Sequence, residues 1–224
     1  MNSFDHIEHW IFDLDNTLYP ASCRLFDQID ERMTQYVANF LGVERIEAYA
    51  LQKSYFRDFG TTMNGMMVNH QMDPEAYLHF VHDIDHSVVE AAPELAHALD
   101  KLPGRKLVFT NGSVAHAQAV MAQLGIGDLF DAVHDIKASS YVPKPAKETY
   151  TTMIEQTDVD PARAAMFEDI ARNLEVPFAL GMKTVLVRTP GDHADACAID
   201  LGSGDEPYVD FATDDLGTFL KGLA

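Results

Sequence analysis

Short apolar runs that stop at an acid or a turn residue, separated by stretches of helical periodicity, constrain the fold of this chain more than any other feature. HWIFDLD (9–15) is apolar and aromatic up to its first aspartate, and KLVFTNG (106–112) closes on turn residues. AAMFEDI (164–170), KTVLVRT (183–189) and the shorter YVDFAT (208–213) repeat the form. Runs of this length read as short strands buried on both faces. Helical patterns intervene, including VAHAQAVMAQL (114–124), stopped by Gly125, and ETYTTMIEQT (148–157). Strands alternating with helices predict βαβ units and an α/β fold whose parallel sheet carries helices on both faces. In such sheets ligands bind beyond the C-terminal strand ends, so a site should assemble from the residues that close each run.

The segment 20–92 breaks the alternation. It reads as consecutive helices: RLFDQIDERMTQYVANFL, RIEAYALQKSYFRDF, a polar-to-Met stretch, and PEAYLHFVHDI. A helical insert directly after the first strand predicts a cap domain (20–92) folded over a core made of 1–19 and 93–224. Met63, Met66, Met67 and Met72 read as core filling, since methionine suits irregular gaps. His70, His79, His82 and His86 lack HExxH or comparable metal spacing and read as surface or structural residues.

Sixteen Lys and Arg against 35 Asp and Glu leave a formal charge of −19. A field of that sign disfavours nonspecific binding to nucleic acid or to an anionic membrane. An anionic ligand would need a locally positive site built from a metal, a lysine and helix N-termini. No segment has the roughly 18 uninterrupted apolar residues of a bilayer span. The N-terminal stretch lacks the basic and apolar regions of a signal peptide. Cys23 and Cys197 form no framework or CxxC pair, so a cytoplasmic chain is expected.

Asp13 and Asp15 are the strongest chemical signal. Their i,i+2 spacing lets both carboxyl groups leave one face of the strand end, and two acids there call for a cation or a shared proton. Mg²⁺ suits them, because it prefers oxygen ligands and retains waters while binding phosphate. Thr110, Asn111 and Gly112 offer a hydroxyl, an amide and a close-approach glycine at a helix start, a natural phosphate seat. Lys144 stands between two prolines in VPKPAKE, and Glu168 and Asp169 end a buried apolar run with further hard oxygen ligands. Taken singly, each would read as a turn, a helix cap or a solvated loop residue.

In the order DxDxT, T-N-G, K-P, E-D-x-x-x-N, these motifs resemble the haloacid dehalogenase superfamily of phosphatases, and the resemblance covers nearly the whole chain. It implies a Rossmann-like core with a helical (C1-type) cap inserted after the first motif. Asp13 would be the nucleophile and a magnesium ligand. Asp15 would protonate the leaving alcohol, then deprotonate the hydrolytic water, and lend its backbone carbonyl to the metal. Thr110 with the amides of Asn111 and Gly112 would hold the phosphoryl oxygens, and Lys144 would offset charge on Asp13 and the phosphate. Asp169 would complete the magnesium shell with Glu168 in support, and Asn173 would orient that loop.

A closer resemblance is carried by FDLDNTLYP, by SYFRDFGTTMNGMMVNH with PEAYLHFVHDID, and by FEDIARNLEVPFALGMKTVLV. These look like the pyrimidine 5′-nucleotidase branch, whose members hydrolyse UMP and CMP, so the partner expected is a nucleoside monophosphate. Related sequences often have a basic residue where this chain has Asn64, and Tyr19, Arg24 and Arg57 are candidate cap contacts. The alternatives are a phosphatase for a sugar phosphate or a vitamin-precursor phosphate, a phosphomutase, and a catalytically silent binding protein. A dehalogenase is disfavoured, because those enzymes lack the second acid.

Overall fold

The computed structural model describes residues 3–188 and 202–223, so Cys197 and the end of the 183–189 run lie outside the described residues. The first strand, β1 (His9–Phe12), leads through a loop and a short 3-10 turn into α1 (Leu25–Leu41), α2 (Arg45–Phe59), α3 (Thr62–His70) and α4 (Pro74–Val81). The chain then returns through α5 (Pro93–Lys101) to β2 (Arg105–Phe109), α6 (Val114–Leu124) and β3 (Ala132–His134). After these come α7 (Lys147–Thr157), β4 (Ala164–Glu168), α8 (Glu175–Ala179), β5 (Lys183–Val187), β6 (Phe211–Thr213) and α9 (Leu216–Lys221).

The strands form one parallel sheet in the order β3-β2-β1-β4-β5-β6. Strand alternation divides the core into two faces. Trp10 and Phe12 of β1 pack with Phe167, Val185 and the apolar sides of α5, α6 and α9. Ile11 faces the other way, into a cluster with Leu107, Phe109, Met166 and with Tyr150 and Met153 of α7. The expected α/β fold, with helices on both faces of a parallel sheet, is the fold observed. β3 was not among the expected strands. It has three residues and two of them are only half-buried, so its sequence lacks the long apolar run that marked the others.

Helices α1–α4 build a third cluster, which includes Ile29, Val37, Tyr55, Met63, Met66, Met72, Tyr77 and Leu78. The methionines are buried there as expected, with Met67 partly so. Helix α3 occupies what looked like a polar-to-Met stretch. Thr61 caps it by accepting from the Asn64 amide, and its residues 62, 63, 65 and 66 are all buried, so no single apolar stripe betrays it.

Register places the site. Phe12 of β1 lies opposite Val108 of β2 and Phe167 of β4. Asp13 and Glu168, one place further on, and Thr110, two places further on, therefore emerge together at the C-terminal edge of the sheet. Two loop bonds extend the ladders there: the Asp13 amide donates to the Phe167 carbonyl at 2.9 Å, and the Thr110 amide donates to the His134 carbonyl at 3.0 Å.

Candidate active site

Asp13, Asp15, Thr110, Asn111, Gly112, Lys144, Glu168, Asp169 and Asn173 all line one cavity of about 550 Å³. Every residue the motifs singled out for a role thus reaches the same space. Helices α1–α4 supply its opposite wall, with Phe26, Met33, Phe56 and Met63 among the lining residues.

Lys144 is the hub. Its ammonium is buried and donates to Asp13 Oδ1 at 2.6 Å, to Glu168 Oε2 at 2.7 Å and to the Phe109 carbonyl at 2.9 Å. An ammonium has three donors, and each has an acceptor here. Burial alone would pull the lysine down, but the Asp13 and Glu168 carboxylates outweigh it and raise its pKa above the ordinary value. The Lys144 backbone is also held: its amide donates to Asn111 Oδ1 at 2.8 Å. Asn111 therefore ties the second motif to the third.

The carboxylates around this lysine are crowded. Oxygen atoms of Asp13, Glu168 and Asp169 lie within 4.8 Å of one another. Burial raises the Asp13 carboxyl, with the Glu168 charge adding to it, and the same two causes raise Asp169 well above the carboxylate range. Three acids against one ammonium leave an excess of negative charge in a desolvated pocket. That imbalance, with an all-oxygen donor set, fits a hard divalent cation such as Mg²⁺.

Asp15 stands apart from that cluster. One of its oxygens, Oδ1, accepts from the Tyr19 hydroxyl at 2.6 Å and faces His116 Nε2 at 2.9 Å. Burial would raise this acid, but the His116 and Tyr19 contacts prevail and hold it below the usual carboxylate value. Asp13 and Asp15 are thus two acids on one loop with opposite perturbations, burial and Glu168 raising one while His116 and Tyr19 lower the other. The Thr110 side chain accepts from the Gly112 amide at 2.9 Å. A Cβ on Gly112 would come within 3.2 Å of Thr110 Oγ1 and 3.4 Å of the His116 ring, so a side chain there would crowd both.

Several residues lay outside the expected set. His116 lies on the first turn of α6, and His82 and His86 lie on the segment leaving α4. His82 stacks on His116 with centroids 4.4 Å apart and 5° between planes, and His86 Nε2 lies 3.0 Å from His116 Nδ1. His82 and His86 had read as surface or structural residues, since their spacing matches no metal-binding motif. Asp135, after β3, accepts from the Val114 amide at 3.0 Å and so fixes the start of α6. Of the candidate cap contacts, Tyr19 bonds Asp15, whereas Arg24 pairs with exposed Asp27. Arg57 is exposed, and Asn64 donates to the Phe59 carbonyl at 2.9 Å. Arg24, Arg57 and Asn64 do not line the cavity.

A parallel sheet with paired acids, a buried lysine and a further acidic pair at its C-terminal edge defines a class of hydrolase. Residues 7–181 match the model of the haloacid dehalogenase-like hydrolases, and the chain belongs to that family. It is 27% identical to phosphate metabolism protein 8 of Saccharomyces cerevisiae over 195 residues, which are 79% of this chain and 60% of that protein. It is 35% identical to fructose-1-phosphate phosphatase YqaB of Escherichia coli over 83 residues, 36% of this chain and 43% of that one. The chain thus spans less than two thirds of either relative's length. Among solved structures it resembles a phosphatase of the same superfamily from Thermococcus onnurineus, with a TM-score of 0.63, 17% identity, and coverage of 97% and 98% of the two chains. L-2-haloacid dehalogenase from Xanthobacter autotrophicus matches with a TM-score of 0.58, 19% identity and coverage of 97% and 98%. These likenesses show the fold.

Proposed function

We propose that the chain is a magnesium-dependent phosphomonoesterase that works through an aspartyl-phosphate on Asp13, with pyrimidine nucleoside monophosphates such as UMP and CMP as its substrates. The observation that carries this is the convergence of Asp13, Lys144, Glu168, Asp169 and Asp15 on one cavity. Residues 20–92 act as a helical cap over a core of 1–19 and 93–224, and the substrate's organic part lies between the two.

An Asp13 oxygen attacks phosphorus, and the bond to the leaving oxygen breaks as Asp15 gives that oxygen its proton. Asp15, now ionised, takes a proton from water as the water oxygen attacks phosphorus and the bond to Asp13 breaks. Lys144 holds Asp13 oriented, and Thr110 with the amides of Asn111 and Gly112 seats the phosphoryl oxygens. Asp13, Glu168 and Asp169, with the Asp15 backbone carbonyl, would hold Mg²⁺, which offsets the charge of the transferring phosphoryl group. Asn173 is buried in the lining, and its carbonyl accepts from Tyr150 Oη at 2.7 Å, which supports its role in ordering the metal loop.

The cavity volume is suited to a nucleotide-sized ligand, and its apolar wall suits a planar base more than a bare polyol. The likeness to a fructose-1-phosphate phosphatase favours a sugar phosphate as the second reading. Phosphate release from UMP, CMP, dUMP, AMP, GMP, fructose 1-phosphate and vitamin-precursor phosphates, with Mg²⁺ and with chelator, decides between them. Selective, metal-dependent hydrolysis of the pyrimidine nucleotides is expected. Preference for the sugar phosphate would keep the chemistry and replace the substrate, and silence on every compound would sink the enzyme reading.

A further inference from the structure

We infer that His116, braced by His82 and His86, is a positioning residue that aims the second oxygen of Asp15 at the reacting phosphate. The inference rests on the reading of Asp15 as the acid/base and extends it to groups outside the family motifs. An aspartate side chain can rotate about its Cβ–Cγ bond and exchange its two oxygens. Here Oδ1 is held from two directions, by the Tyr19 hydroxyl at 2.6 Å and by His116 Nε2 at 2.9 Å. Oδ2 points toward the phosphate seat, 3.8 Å from where a Cβ of Gly112 would stand. An ionised carboxylate only accepts hydrogen bonds, so His116 presents Nε2–H to it. Oδ1 can accept from both donors whether or not Oδ2 carries the proton. The proton exchanged with the leaving group and with water is thus confined to Oδ2.

His116 is itself immobilised. Its side chain is fully buried, its ring lies flat against His82, and its Nδ1 meets His86 Nε2. His82 Nδ1 in turn meets the Ser113 hydroxyl at 3.1 Å. Ser113 caps the helix that bears His116 by accepting from the His116 amide. His82 and His86 belong to the segment by which the chain returns from helices α1–α4 to the sheet. The inserted helices and the acid/base therefore meet at this histidine stack, and the aim of Asp15 depends on the seating of the insert.

Leaving-group dependence tests the role, because p-nitrophenolate departs without a proton and an alkoxide does not. In His116→Ala, kcat/KM for the best alkyl phosphate among UMP, CMP and fructose 1-phosphate should fall about 10- to 100-fold, within the range of general acid catalysis. For p-nitrophenyl phosphate the fall should stay below about threefold, by the same reasoning. The alkyl loss should lie in kcat, with KM nearly unchanged, and His116→Gln, which retains a donor at similar reach, should restore most of it. Tyr19→Phe keeps the buried ring and removes only the O–H, so it tests the same anchor if His116→Ala folds poorly; a smaller loss with the same substrate selectivity is expected. Equal losses on both substrates in these variants, or full alkyl activity in His116→Ala, would overturn the positioning role. Asp15→Asn separates the two levels: if it retains alkyl turnover, the acid/base assignment fails, and the role of His116 falls with it.

Discussion

Lys144 shows how one side chain can bind several motifs together. It pairs with Asp13 from the first strand end and Glu168 from the fourth, and its backbone is bonded to Asn111 after the second. Removing one partner of a buried ion pair leaves uncompensated charge, which costs about 3–5 kcal/mol. Lys144→Met should therefore lose turnover and stability together, the latter read as a lower urea midpoint; an unchanged midpoint would contradict the buried hub. Asp13→Asn should behave differently. Its carboxyl is raised by burial and by Glu168, so neutralising it relieves repulsion while removing the nucleophile. Turnover should fall by roughly 10⁴- to 10⁶-fold, as for other essential nucleophiles, with a melting temperature equal to or above the parent's. Retained hydrolysis in the purified variant would remove Asp13 from that role.

At the scale of elements, β3 and α3 matter out of proportion to their sequence signal. β3 receives the Thr110 amide, and Asp135 beyond it fixes the N-terminus of α6, so the short edge strand sets the phosphate seat. Helix α3 lies close against α2. A Cβ on Gly65 would stand 2.4 Å from Tyr55 Cβ and 2.5 Å from Cγ, and the base of a side chain cannot move aside without its backbone. Gly65→Ala should cost about 1–3 kcal/mol, the usual range for overpacking, through separation of α2 from α3. Chemical denaturation measures this, and a neutral result would mean the two helices can part freely. Turnover on saturating substrate should change less than stability, since Gly65 does not line the cavity.

For the whole molecule, the excess of acid in the site couples folding to pH and to metal. The Asp169 carboxyl is raised above its ordinary value of 3.8 by burial, Glu168 and Asp13. The folded state therefore holds a proton that the unfolded state has released. Its penalty is absent below the unfolded pKa and grows as pH rises toward the folded one. Asp169→Asn lacks that penalty, so without Mg²⁺ its stability advantage over the parent should increase from about pH 4 upward. Thermal melts across pH should show the widening gap, and a gap independent of pH would refute it. Adding Mg²⁺ should reverse the order. A ligand at a hundred times its Kd stabilises by about 2.7 kcal/mol, and the parent should gain it while Asp169→Asn gains much less. Equal gains in both proteins would place the cation elsewhere.

The strand pattern and motif order determined much of this protein in advance. Apolar runs ending in DLD, TNG and ED place their last residues at one sheet edge whatever the loops do, because parallel strands in register share a C-terminal side. Asp13, Asp15, Thr110, Asn111, Gly112, Glu168 and Asp169 were legible for that reason, and Lys144 for the prolines on either side of it. The extent of α2 and of α6 was legible too, from helical patterning and, for α6, from the glycine that stops it. What only the tertiary structure decided are the contacts between elements distant in sequence. Asp15 and His116 are 101 positions apart, and the three histidines near the acid come from two distant stretches, His82 and His86 from one and His116 from the other. The position of Asn64 belongs here as well: its side chain closes a local turn and stays out of the cavity. Local pattern reports burial and periodicity, which a residue's neighbours along the chain can encode. Which side chain aims another depends on packing across the molecule, and no short stretch of sequence carries that information.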